Sequence, residues 1–134
     1  MNHSIDAHQQ LLHLIEADFQ TFYQIQLGHH PNKIVCQFFQ NTLAIVVKGS
    51  VTKPEKLLLK HGQQNLAQRV RLNLEQLMRP QLKSLIEGLT QADVEDLLID
   101  THLRTDQTSV IAILSHPPSL ACQTASHASS GMEP

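Results

Sequence analysis

Long apolar runs are missing from this chain of 134 residues. The longest, such as Leu43–Val47 and Leu57–Leu59, fall far short of the roughly 18–20 residues that a membrane-spanning helix needs. Tryptophan is absent, and four phenylalanines with one tyrosine leave 4% aromatic residues. Lysine and arginine number 10 against 12 acidic residues, so there is no cationic excess. A nucleic-acid module ordinarily shows a strongly basic face and stacking aromatics, so none is expected. Cysteine is equally scarce. Cys36 falls in an expected strand and Cys122 in a polar tail, without metal-ligand spacing, so neither a disulfide nor a zinc site is expected. There is no phosphate-binding glycine loop. The opening MNHSIDAHQQ is polar and acidic where a signal peptide carries positive charge and then an apolar block. A soluble cytoplasmic protein, at most peripheral to a membrane, is the expectation.

What is present suits one domain with a real core. Ser4 is a good N-cap for a first helix over Ile5–Leu27, in which Leu11, Leu12, Ile15, Phe19, Phe22 and Tyr23 form one apolar stripe. Gly28 can take the left-handed conformation that ends a helix, and Pro31 prevents resumption. Alternating residues then predict strands at Lys33–Phe39 and Leu43–Lys48, joined at Gln40-Asn41-Thr42, with Asn41 able to take positive φ. Both strand faces are substantially apolar, which calls for cover by helices or by another subunit. Thr52-Lys53-Pro54-Glu55 is a capping box that opens a second helix. After a break at His61-Gly62, a third helix carries the stripe Leu66, Val70, Leu74, Leu77, Met78, Leu82, Leu85, Ile86 and Leu89. Pro80 predicts a kink or two abutting helices, and Gly88 the stop. Strands near Val94–Thr101 and Ser109–Leu114 follow, around a turn at Thr105-Asp106-Gln107. The order α-β-β-α-α-β-β gives an α+β domain over residues 1–115, with two β-hairpins forming an antiparallel sheet packed on helices. The Ser/Pro/Ala-rich residues 116–134 predict a disordered tail.

Several residues carry a family resemblance across about Phe22–Leu114. Gly28 and Pro31 match a Gly-x-x-Pro pattern before the hairpin. Gly49, Thr52, Glu55 and Lys56 match Gly-x-x-Thr-x-x-Glu-Lys, and Met78-Arg79-Pro80-Gln81-Leu82 is similar to Leu-Arg-Pro-x-Leu. Asp100 and Thr105 stand before the last strand as that pattern has them. In this order and spacing the chain resembles the MpsC-like family, small soluble bacterial proteins named for a component of a sodium-linked membrane-potential-generating system. It departs at Gly28-His29-His30-Pro31, where the family commonly has Gly-Arg-Gly-Pro, and at Leu89-Thr90-Gln91, where Leu-Thr-Gly is usual. The resemblance implies an accessory or regulatory protein near a membrane ion or inorganic-carbon transport system, itself not membrane-spanning.

Candidate chemistry is sparse. The nine histidines include the adjacent His29-His30 and the five-residue series His3, His8, His13, but none shows the i, i+4 or Cys/His spacing of a zinc site. Imidazole is the side chain whose charge changes most readily near neutral pH, so His29 and His30 are candidates to tune an interface. Cys36 between apolar neighbours reads as a core residue, and capping accounts for Ser50 and Thr52. Asp100 reads as an acid, base or ligand, or as a strand-end carboxylate serving turn amides. Arg79 beside Pro80 offers a bidentate donor to a carboxylate, phosphate or bicarbonate; alternatively it caps carbonyls freed by Pro80 or pairs with Asp96–Asp100. From Lys53 to Glu87 seven Lys/Arg face three acids, and from Asp93 to Asp106 five acids face one arginine. This asymmetry makes Lys56 and Lys60 candidate partner contacts, or else leaves two ordinary solvated faces.

The expectation is therefore a non-enzymatic accessory protein without a cofactor or metal. It would form a homodimer and bind a transporter or dehydrogenase-like subunit of a membrane ion or bicarbonate-uptake system. The alternatives are a homodimeric small-molecule or anion sensor using helix N-termini at Thr52 and Arg79, and, behind it, a nucleic-acid-associated regulator.

Overall fold

Apolar residues at three- and four-residue steps give the first helix, α1 (His3–Leu27), one side that must leave water. Leu11, Leu12, Ile15, Phe19 and Tyr23 are buried along it, each large side chain contributing roughly 1.5–3 kcal/mol by transfer from water. The helix starts before the expected Ile5, so Ser4 lies inside its first turn rather than capping it. Gly28 ends it at φ 61, its amide 2.9 Å from the Gln24 carbonyl. The computed structural model describes residues 3–118, with side chains from residue 7 onward. The expected disordered tail lies, from residue 119, outside the described residues, and so does Cys122.

The remaining elements are β1 (Lys33–Phe39), β2 (Thr42–Lys48), α2 (Lys53–Lys60), α3 (Gln64–Thr90), β3 (Val94–His102) and β4 (Gln107–Leu114). This is the expected α+β order. The two hairpins join through β2 and β4 into one antiparallel sheet, β1-β2-β4-β3. In the first hairpin the positive φ falls on Gln40 (58°) and not on Asn41. Asn41 instead bonds both ways with the end of β4: its Nδ2 donates to the Leu114 carbonyl at 2.9 Å, and its own carbonyl accepts from the Leu114 amide at 2.8 Å.

Alternate strand residues point to opposite faces. On the inner face Ile34, Leu43, Ile45, Val47, Val110, Ala112 and Leu114 close on Leu11, Ile15 and Phe19 of α1 and on Met78, Leu82 and Ile86 of α3. No described helix covers the outer face, where Phe39 and Leu98 stand 56% and 53% exposed. The expected two-sided cover is thus supplied by helices on one side alone.

The third helix differs from expectation in three ways. It runs unbroken through Pro80; the carbonyl that Pro80 leaves unbonded belongs to exposed Gln76, where water can satisfy it. It passes Gly88 and stops at Gln91, which takes the left-handed conformation (φ 59, ψ 32). Its first turns are also rotated from the expected stripe. Leu66 and Leu77 are 37% and 69% exposed, while Ala67, Arg71 and Glu75 face inward.

Candidate functional site

Charged residues turned into the protein need partners, and Arg71 and Glu55 supply each other. Both are essentially inaccessible. The expected capping box forms at the start of α2, with the Glu55 carboxylate reaching back to the Thr52 amide at 2.9 Å. That same carboxylate takes the Thr52 hydroxyl at 2.8 Å and a fork from Arg71, whose Nε and Nη2 donate to Oε2 and Oε1 at 2.7 Å each. Arg71 Nη2 also donates to the Ser50 carbonyl at 2.9 Å. The third guanidinium nitrogen, Nη1, is buried without a hydrogen-bond partner among the described residues. Charge-assisted bonds in this fork geometry are the strongest a side-chain pair makes.

A second strand of the network runs beside it. Thr101 Oγ1 donates to Glu75 Oε2 at 2.5 Å, and Thr108 Oγ1 lies 2.7 Å from both Thr101 Oγ1 and Ser50 Oγ. Since Thr101 gives its single proton to Glu75, Thr108 must donate to Thr101 and Ser50 to Thr108. Burial pushes the Glu75 carboxyl up, opposed by the Thr101 bond and the field of Arg71. Burial likewise pushes the Tyr23 phenol up, opposed chiefly by the field of Arg71. Each hydroxyl proton is committed to the next oxygen in the line. Ser50, expected only to precede a helix, is part of this line.

Three connections meet above the network at one end of the sheet. Asp106, at φ 61 in the β3–β4 turn, accepts the Gly49 amide on its carbonyl at 2.8 Å and the Val51 amide on Oδ1 at 2.7 Å. Its Oδ2 pairs with Lys56 at 3.1 Å. Gly49 has φ 73, and a Cβ there would fall 2.5 Å from Asn32 Cγ, so the loop before β1 seats directly on it. His29 Nε2 lies 2.7 Å from the Gly49 carbonyl and donates to it. Pro31 is buried in the same loop, its carbonyl accepting from Gln20 at 3.3 Å. Gly28, Pro31, Gly49, Thr52, Glu55 and Lys56, scattered in sequence, are therefore one joint.

The other sequence candidates do not gather there. Arg79 is not at a helix N-terminus, because α3 is continuous; its Nη1 donates to the Leu97 carbonyl and ties α3 to β3. Asp100 is exposed on the outer sheet face opposite Ser109, and the carboxylate that takes a connection amide is that of Asp106, which holds Val51. Lys60 is exposed at the end of α2. The α2 N-terminus, a candidate anion site, is already occupied by the carboxylate of Glu55. Beside it a cleft of about 480 Å³ is lined by Leu27, Gly28, His29, His30, Thr52, Lys53 and Pro54. Cys36 is half-buried, and burial reinforced by Glu16 pushes its thiol up to about 12, so it holds its proton. His8 stacks edge-on against Phe38, ring centres 5.4 Å apart. Among the described residues no group of three or more His, Cys, Asp or Glu side chains is placed to hold a metal ion, and no helix is long and apolar enough to cross a membrane.

Sequence reasoning missed Arg71, Glu75, Tyr23 and Asp106. One signal was available: Ala67, Arg71, Glu75, then Met78, Leu82 and Ile86, is itself a helical stripe continuous with the core. No curated protein and no solved structure matches the chain. A family model described as Na+-translocating membrane potential-generating system (MpsC) matches residues 7–116, well beyond the stretch that the motifs alone delimit. The chain belongs to the MpsC family.

Proposed function

We propose that this protein is a non-enzymatic accessory component of a sodium-linked membrane-potential or inorganic-carbon uptake system, acting from the cytoplasm by docking onto a membrane subunit of it. The observation that carries this reading is the distribution of side chains. The polar groups able to do chemistry bond to one another in the interior, while Leu57, Leu72 and Leu77 stand 58%, 58% and 69% exposed on the helical layer. Apolar groups held outside by a well-packed domain suit a binding surface. Exposed Lys53 and Lys60 on α2 and Lys83 on α3 suit an acidic or membrane-proximal partner. Family membership supplies the context.

The test is a deletion in the native host, with membrane potential followed by a voltage-sensitive dye across sodium and bicarbonate concentrations. The expected result is a lowered potential, restored by the wild-type gene but not by a folded Leu72→Glu, Leu77→Glu variant. An unchanged potential in the deletion strain overturns the proposal.

A further inference from the structure

The outer face of the sheet poses a separate question. Strand register places Val35 beside Val46, Ile111 between Ala44 and Leu98, and Ile113 beside Thr42, which pairs with Phe39 at the β1 edge. An apolar surface thus crosses all four strands, with Phe39 and Leu98 more than half exposed. Its charges are sorted by edge. Lys33 and Lys48 pair at one end of β1 and β2, while Asp96 and Asp100 lie along β3 at the opposite edge.

We propose that this face is the contact between two copies of the chain, related by a two-fold axis running along the strands. Such an axis exchanges left and right, so the β1–β2 side of each copy lies over the β3–β4 side of the other. Register then puts Lys33 over His102 and Lys48 over Gln107 of the other copy, with Asp100 one cross-strand row, about 7 Å, along from His102. Each lysine-bearing edge thus lies over the edge that carries Asp100, and Ala44 and Ile111 close on each other in the middle. A two-fold axis across the strands lays β1 on β1 and leaves both lysines over Phe39 and Thr42, without an acidic partner. Facing sheets sit about 10 Å apart, a gap that a lysine side chain largely spans. Four strands about 4.8 Å apart and roughly 24 Å long present about 450 Å² in projection. That is the small end of specific interfaces, so the dimer is reversible, with a dissociation constant in the micromolar range.

The proposal rests on the sheet face alone and not on the membrane reading above. It is tested by sedimentation of the full chain over a concentration series, with folding checked by circular dichroism. Wild type is expected to pass from monomer to dimer. Leu98→Gln, at an exposed position, should shift the midpoint about tenfold or more to higher concentration. Lys33→Glu and Asp100→Lys should each weaken the dimer, and the double variant should recover much of the loss, since the reversed charges are again neighbours across the interface. These two positions are three strands apart within one copy, so recovery reports contact between copies. A wild-type protein that stays monomeric, or a dimer indifferent to Leu98→Gln and to both charge changes, overturns the proposal. If the monomer still supports membrane potential in the host, the accessory role stands without self-association.

Discussion

Removing one member of the Glu55–Arg71 pair should be among the most damaging single changes available in this protein. In Arg71→Met the buried Glu55 carboxylate keeps only the Thr52 amide and hydroxyl, and loses both arms of the 2.7 Å fork. An unpaired buried charge of this kind destabilises by about 3–5 kcal/mol, out of the roughly 5–15 kcal/mol that holds a domain together. Glu55→Gln strands the guanidinium instead, and weakens a capping box that is itself worth about 0.5–2 kcal/mol. With both replaced, neither member of the pair is left as an unpaired buried charge, so the double variant should be more stable than the sum of the single losses by about 2–3 kcal/mol. Urea unfolding followed by far-ultraviolet circular dichroism gives all four stabilities. Single losses below about 1 kcal/mol, or additivity within about 0.5 kcal/mol, would refute the claim that the pair is bound in low dielectric and mutually dependent.

Gln91→Gly should stabilise by about 0.5–1 kcal/mol in the same assay, because Gln91 ends α3 at φ 59 where glycine bears no Cβ strain; a loss refutes it. Gly49→Ala should cost more than about 2 kcal/mol, combining φ 73 with a Cβ pressed on Asn32, against about 1 kcal/mol for Gly28→Ala, where the space is open. The Glu75 carboxyl is raised in the folded state, so its favourable contribution is full below the unfolded carboxylate value and is lost as pH rises through the folded one. Glu75→Gln should therefore gain stability relative to wild type between acid and neutral pH, and a flat difference across that range contradicts the sign. Cys36, its thiol pushed up to about 12, should react with a disulfide reagent at mildly alkaline pH far more slowly than the same thiol in urea; the experiment is done in a Cys122→Ser background, and equal rates refute it.

The element order was readable because it depends on local signals. Alternation marked four strands, Gly28 and Pro31 marked the end of α1, and Thr52 to Glu55 marked a helix start. Strand order was not readable, since β2 meets β4 only through long-range packing. The network failed to appear for a different reason. Helical periodicity was read from hydrophobicity, which in the first half of α3 picks Leu66, Val70, Leu74 and Leu77. That stripe leaves Leu66 and Leu77 in water, because the positions facing inward there are Arg71 and Glu75. A buried charge is invisible to a hydrophobic pattern unless its partner is sought as well. Glu55 was that partner, and it was read only as a cap. Likewise Asp106 looked like an ordinary turn residue, although it holds Gly49, Val51 and Lys56 from fifty or more positions away along the chain.

The residues that carry the family resemblance bear on function through what they do together. Gly28 and Pro31 shape the loop before β1, Gly49 lets that loop close on the exit from β2, and Thr52 and Glu55 open α2 and take Arg71 from α3. All of this lies at one end of the sheet, where Asp106 closes the third connection. A motif of glycine, proline and capping residues ordinarily tempts a search for a phosphate cradle, since backbone amides at a helix start attract anions. Here the Glu55 side chain occupies the Thr52 amide from within and is neutralised by Arg71, so the motif is satisfied without a ligand. Its physical task is to fasten three loops and α2 to the end of a four-stranded sheet. The matter left to explain is then on the surface: exposed leucines on the helical side, and an apolar, charge-sorted face on the other. Those two faces are where variants should separate loss of function from loss of fold.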